Sequence, residues 1–265
     1  MSSYITIIKI GGSVVSDKTK PETPIFRKKV TQRLAQEFAQ YRKQKPHGEQ
    51  FILVHGAGSF GHPLAKRYRL TECKTRKDLF GVALVRTQVR QLNLFVAKEF
   101  LAQRCKVLPL SPSFFVRQTN GRISQCDITF IENTLKGGFT PLLHGDVVED
   151  KQCGFSICSG DQLLSYLSTT LPVRRAIFLT DVDGVFNDNP KYNKNAGLLV
   201  RMTRKEAKAF AQKRARRTSF DVTNAMAGKL GEIAEISCPV VVCNGFTRGN
   251  LLRALYGEKA GTTIY

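Results

Sequence analysis

The chain has 265 residues, 42% hydrophobic and 23% charged, ordinary proportions for a folded protein with a continuous core. That balance excludes a disordered chain, and no run approaches the roughly 18 consecutive apolar residues that a membrane span needs. Lysine and arginine number 41 against 21 acidic residues, a formal net charge of +20, which favours anionic partners without naming the anion.

The opening MSSYITIIKIGGS passes straight into an apolar β-rich run with no basic region and no small-residue cleavage site, so a cytoplasmic rather than exported protein is expected. Short apolar runs bounded by Gly, Pro, Asp or Asn predict buried strands at Ile5–Ile10, Gln50–His55, Lys106–Leu110, Thr140–His144, Ala176–Thr180 and Val240–Cys243, with Thr262–Tyr265 as a last edge strand. Helical patterns fall between them at Phe26–Lys43, Leu79–Gln103, Gly160–Leu171, Arg204–Lys213 and Thr223–Ile236. In the second of these, Val82, Val85, Val89, Leu92 and Val96 recur at alternating three- and four-residue spacing, the signature of a packed face. Asn120-Gly121, set among alternating residues between Phe114 and Phe130, predicts a hairpin at the sheet edge. With no repeat and no linker, the pattern predicts one α/β domain, a three-layer α/β/α sandwich around a mainly parallel sheet.

The basic runs Lys66–Lys77 and Arg201–Arg217 lack interleaved aromatics and match no nucleic-acid module, so they read as solvated helix faces and loops and nucleic acid is not expected as a partner. The seven cysteines form no C-x-x-C pair, and no histidine lies near Cys153/Cys158 or Cys238/Cys243. Reduced thiols and no metal site are the expectation.

Ligands of an open parallel sheet bind beyond the carboxyl ends of its strands. Here those ends are glycine-rich: KIGGS (Lys9–Ser13), HGAGSFGH (His55–His62), HGDVV (His144–Val148), SGDQ (Ser159–Gln162) and TDVDG (Thr180–Gly184). Such loops let backbone N–H groups approach an anion, with helix N-termini adding partial positive charge. Gly56, Gly58 and Gly61 formally satisfy G-x-G-x-x-G, but the loop does not follow the first strand and no acidic residue ends a strand about 20 residues on, which excludes the dinucleotide reading. The one Gly-Lys pair, Gly228-Lys229, lacks the rest of a Walker pattern, and TDVDG lacks the third acid and distal Glu of a calcium loop.

Taken in order, KIGGS with SDK, HGAGSFGHP, HGDVV, SGDQ, TDVDGVF and DVTNAMAGK closely resemble the amino acid kinase family over nearly the whole chain. The resemblance implies a single domain in two lobes, residues 1–170 binding the acceptor and 171–265 binding ATP, and commonly a homodimer. Within the family, SFGH with His62, together with Lys18, is similar to the kinases that phosphorylate isopentenyl phosphate, which implies a prenyl phosphate substrate. It assigns Lys9 and Lys229 to the transferring and leaving phosphates, Lys18 to the acceptor and γ-phosphate, and His62 to a hydrogen bond on the acceptor. Ala57, Gly58 and Gly61 would supply backbone contacts, Gly160 would close the site, and Asp161 would organise the lysines. ATP would meet Gly11, Gly12, Ser13, Gly58 and Ala225, with Asp181, Asp183 and Gly184 beside the nucleotide and magnesium carried in with it.

Two departures stand out: Asn224 and Ala225 replace a glycine pair common in related kinases, and Ala57 stands where a glycine is frequent. The helix face of Val82, Val85 and Val89 is the candidate wall for a short prenyl tail. A kinase of another small phosphate or phosphonate, such as a fosfomycin kinase, is the rival enzyme reading. A non-catalytic basic sensor on the same fold is the rival from another class.

Overall fold

In the computed structural model, residues 4–17, 19, 23–44, 48–72, 78–188, 193, 195–215 and 222–265 are described, with the backbone alone at 214–215 and 222–225. Strand β1 (Tyr4–Ile10) leads to the one-turn helix α1 (Gly12–Val15), the small ladder β2 (Ser16–Asp17) with β3 (Ile25–Phe26), α2 (Lys28–Gln44) and β4 (Glu49–His55). Then come α3 (Gly58–Arg67), α4 (Leu79–Ala102), β5 (Val107–Pro109), β6 (Val116–Thr119), β7 (Arg122–Cys126) and α5 (Thr129–Lys136). β8 (Thr140–His144), β9 (Asp146–Asp150) and β10 (Gly154–Cys158) precede α6 (Gly160–Thr170) and β11 (Val173–Thr180). The C-terminal part holds β12 (Val185–Phe186), β13 (Leu198–Leu199), β14 (Arg201–Met202), α7 (Arg204–Ala215), α8 (Val222–Ala234), β15 (Val240–Asn244), α9 (Asn250–Tyr256) and β16 (Thr262–Ile264).

The main sheet has eight strands in the order β14-β16-β15-β11-β1-β4-β8-β5, and only the β15–β16 pairing in it is antiparallel. Strand β1 lies near its middle and is buried on both faces, which is why its sequence runs apolar without alternation. Side chains still alternate across the sheet. Ile5 and Ile7 join a core with Leu163, Leu164 and Leu167 of α6 and Leu230 and Ile233 of α8. Ile8 and Ile10 join another with Phe38 of α2, Leu92 and Val96 of α4 and Leu251 of α9. These two helical layers over one sheet are the expected sandwich, and Lys9 shares the face of Ile5 and Ile7, toward α6 and α8.

Several expectations are corrected. The hairpin forms, with φ of 53° at Asn120 and 72° at Gly121, the backbone a two-residue turn of this kind demands. It does not extend the main sheet; it belongs to a second sheet of order β10-β9-β6-β7. Asp150 draws it there by accepting from the backbone N–H of Asn120 at 3.1 Å and Gly121 at 2.7 Å. The C-terminal strand β16 is not an edge, because β14 pairs beyond it. HGDVV is not a loop: Asp146 opens β9. Cys105, Cys126, Cys158, Cys238 and Cys243 are free thiols as expected, whereas Cys153 is disulfide-bonded, and Cys73 lies outside the described residues. Among the described residues no helix is long and apolar enough to cross a membrane.

Candidate active site

The first two glycine loops pack directly on each other. A Cβ on Gly12 would stand 2.5 Å from Gly58 N, and one on Gly58, whose φ is +53°, would stand 2.5 Å from Gly12 O. No side chain fits either place, so these glycines serve the close approach of two backbones as well as any anion. Ser16 fastens the junction: its hydroxyl donates to Gly12 O at 2.8 Å and accepts from Ser59 N at 2.8 Å. Helix α3 therefore starts inside the HGAGSFGH segment, at Gly58, with no side-chain cap on its N-terminus.

Lys9, near the carboxyl end of β1, is 4% exposed. Its ammonium lies 3.0 Å from Asp161 Oδ1, and Lys229 Nζ lies 3.1 Å from the same oxygen and 3.4 Å from Oδ2. Asp161 is placed by α6, whose N-cap Ser159 accepts from Gln162 N at 3.1 Å, and a carboxylate in a first helical turn also faces the positive end of the helix dipole. Lys229, projecting from α8, stands 5.5 Å over the ring of Phe178, the residue that pairs with Lys9 between β1 and β11. Burial pulls the Lys9 ammonium down to about 8, with Asp161 opposing that shift and Lys229 adding to it. Asp161 is held well below the usual carboxylate range: burial alone would raise it, and the two lysines outweigh burial. Two cations on one carboxylate leave one unit of positive charge facing the cavity.

That cavity has a volume of about 480 Å³. Lys9, Gly11, Gly12, Ser13, Ala57, Gly61, His62, Gly160, Asp161, Asp181, Gly184 and Lys229 all line it. Gly58 and Asp183 do not; Asp183 instead accepts from Asn244 Nδ2 at 2.8 Å. Ala225 sits on α8 at a position described by backbone alone, and Lys18 lies outside the described residues. Part of the lining is apolar: Ala65, Val85, Val89, Val147 and Ile157 pack in one cluster, and His62 lies three residues before Ala65 on α3. Val82 packs into the same cluster without lining the cavity. Phe210, Met226 and Glu232, on α7 and α8, also line it, together with Phe186 and Asp188. Of these, Met226 lies within the DVTNAMAGK motif, whereas no motif marks Phe210 or Glu232. Among the described residues no group of three or more metal-ligating side chains converges, and Asp161 is already engaged by two lysines.

A parallel sheet that brings two lysines, a shared carboxylate and glycine loops to one cavity has the organisation of a phosphoryl-transfer enzyme. The amino acid kinase family matches residues 5–244. Isopentenyl phosphate kinase from Methanothermobacter thermautotrophicus is 38% identical over 97% of this chain and 98% of its own length. The enzyme of the same name from Methanocaldococcus jannaschii is 32% identical over 98% of each chain. An isopentenyl phosphate kinase solved by X-ray crystallography superposes with a TM-score of 0.83 at 35% identity, over 98% of this chain and 100% of that one. The chain belongs to the amino acid kinase family and is an ATP-dependent phosphotransferase.

Proposed function

We propose that the protein transfers the γ-phosphoryl group of ATP to isopentenyl phosphate, giving isopentenyl diphosphate and ADP. The observation that carries this reading is the Lys9–Asp161–Lys229 cluster in a cavity whose lining also includes the apolar cluster of Ala65, Val85, Val89 and Val147. An acceptor phosphate oxygen attacks the γ-phosphorus, the bond from that phosphorus to the bridging oxygen breaks, and its electron pair leaves with ADP. A phosphate acceptor is already ionised near neutral pH, so no strong base is needed and the obstacle is repulsion between polyanions. Lys9 and Lys229 answer that repulsion at the transferring and leaving phosphates, and Asp161, ion-paired to both, organises them rather than taking a proton.

His62 donates to the acceptor phosphate, and Lys18 is assigned to the acceptor and γ-phosphate. Gly61 and Ala57 face the acceptor, Gly11, Gly12 and Ser13 the ATP phosphates, and Asp181 and Gly184 the nucleotide, with the acceptor lobe at 1–170 and the ATP lobe at 171–265. Magnesium is carried on the nucleotide. Family membership supports a homodimer. The direct test is ³¹P spectroscopy of protein, MgATP and isopentenyl phosphate: paired diphosphate resonances together with ADP support the reading, and ADP with inorganic phosphate alone contradicts it.

A further inference from the structure

Two His-Gly dipeptides end neighbouring strands of the main sheet, and the mechanism above uses neither histidine. His55 closes β4 and His144 closes β8, and the two are register partners in the parallel pairing. Both are fully buried. Their rings stack with centroids 5.6 Å apart and planes at 25°. In each, the ring Nδ1 approaches the carbonyl oxygen of the following glycine, 3.0 Å to Gly56 O and 3.1 Å to Gly145 O.

A carbonyl oxygen only accepts, so each Nδ1 carries the hydrogen and each Nε2 is left as an acceptor. The surroundings agree. Asn93 Nδ2 donates to His55 Nε2 at 3.0 Å, and the Ser111 hydroxyl lies 3.4 Å from His144 Nε2. Burial pushes His55 down to about 3 and lowers His144 as well, which keeps both rings neutral.

In a trans peptide the C=O and the next N–H point in opposite directions. Pinning Gly56 O to the buried ring turns the Ala57 N–H to the other side of a peptide whose two residues, Gly56 and Ala57, both line the cavity. Ala57 N finds no backbone acceptor among the described residues. The same construction fixes the Gly145–Asp146 peptide, and Gly145 N–H donates to His55 O at 3.0 Å, so the two loops are tied to each other.

We propose that His55 and His144 are positioning residues, which lock the Gly56–Ala57 and Gly145–Asp146 peptides with their carbonyls inward so that the Ala57 N–H is presented to the phosphate acceptor. The acceptor part of this statement rests on the function proposed above; the tautomer part does not.

Two measurements test it. The first is ¹⁵N spectroscopy of the wild-type imidazoles at neutral pH. Both rings as Nδ1–H tautomers support the proposal, and an Nε2–H tautomer at His55 overturns it. The second compares His55→Asn, whose amide can place a donor near the Nδ1 position, with His55→Phe, which keeps the ring and its stacking but has no donor. His55→Phe should raise the KM for isopentenyl phosphate about tenfold and the KM for ATP less than about threefold, while His55→Asn stays within about threefold of wild type for both. Equal rises in the two variants, or an unchanged KM in His55→Phe, overturn the proposal. Should His55→Phe fail to fold, the tautomers decide. Absence of all wild-type turnover would remove the proposed reaction and leave the tautomer result standing.

Discussion

Lys9 Nζ lies 3.0 Å from Asp161 Oδ1 in a nearly dry environment, the lysine side chain being only 5% exposed. This contact follows from strand alternation. Lys9 is an odd-numbered residue of β1, so it shares the face of Ile5 and Ile7 and meets the start of α6 instead of the layer formed by α2 and α4. A lone buried ammonium would be costly, and Asp161 offsets that cost while holding Lys229 against the same oxygen.

Asp161→Asn removes the charge that both lysines share while keeping the side chain's shape. With two ammonium groups left facing each other, stability at neutral pH should fall by about 3 kcal/mol. Phosphoryl transfer should slow about 100-fold. Chemical denaturation and single-turnover kinetics measure the two effects, and wild-type values in both would remove Asp161 from its organising role.

The depressed Lys9 gives a pH dependence of definite sign. The ammonium form binds phosphate, so kcat/KM for ATP should fall as pH rises above about 8. The limb in kcat at saturating ATP should lie at higher pH, because bound phosphate favours the charged lysine. Stability moves the other way. Lys9 loses its proton in the fold before it does in the unfolded chain, so this group's contribution to stability rises between about 8 and 10.5. The depressed Asp161 stabilises the fold at neutral pH, and that contribution is lost as pH falls through 3.8 and below. Parallel pH profiles of ATP turnover and of unfolding check these signs.

His62→Ala should damage acceptor use far more than nucleotide use. His62 lines the cavity from α3, three residues before Ala65 of its apolar lining. A rise of about tenfold or more in acceptor KM with nearly unchanged ATP binding is expected; equal losses for both substrates contradict the assignment.

Val85→Ala should widen the apolar part of the cavity and shift preference toward longer prenyl phosphates, at a stability cost of about 2 kcal/mol. Val96→Ala is the control. Val96 lies on the same helix but packs with Phe38 and Phe100 in the other core, so it should cost stability without changing chain-length preference. Competition between five- and ten-carbon substrates decides the point.

Gly12→Ala would force a methyl to within 2.5 Å of Gly58 N. The two loops must part, so both melting temperature and turnover should drop, by about 2 kcal/mol in stability. A variant as stable as the parent would show that the loops can separate freely.

The sandwich was legible because buried parallel strands are short, apolar and punctuated, and Thr140–His144 was placed to the residue. Lys9, Asp161 and Lys229 were legible through the motifs that flank them. Other parts were hidden for physical reasons. HGAGSFGHP reads as turn chemistry, yet Gly58 begins a helix that accommodates Pro63, because contact with the KIGGS loop fixes the backbone there. Asp146 looks like a loop residue, but pairing with Cys158 draws it into β9. The hairpin's destination depends on Asp150, a partner 29 residues beyond Gly121 that no local pattern reveals. Within the basic run after Arg201, Lys208 of α7 pairs with Glu235 at 3.0 Å and Ala207 is buried.

The most direct test of the central claim is magnesium-dependent ADP release by the purified protein with ATP and, separately, isopentenyl phosphate, dimethylallyl phosphate, fosfomycin and a nucleoside monophosphate. The account predicts strong turnover with the isoprenyl phosphates and none above background with the other two. Turnover only with fosfomycin or the nucleotide, or no turnover with any acceptor in a folded sample that binds ATP, would contradict it.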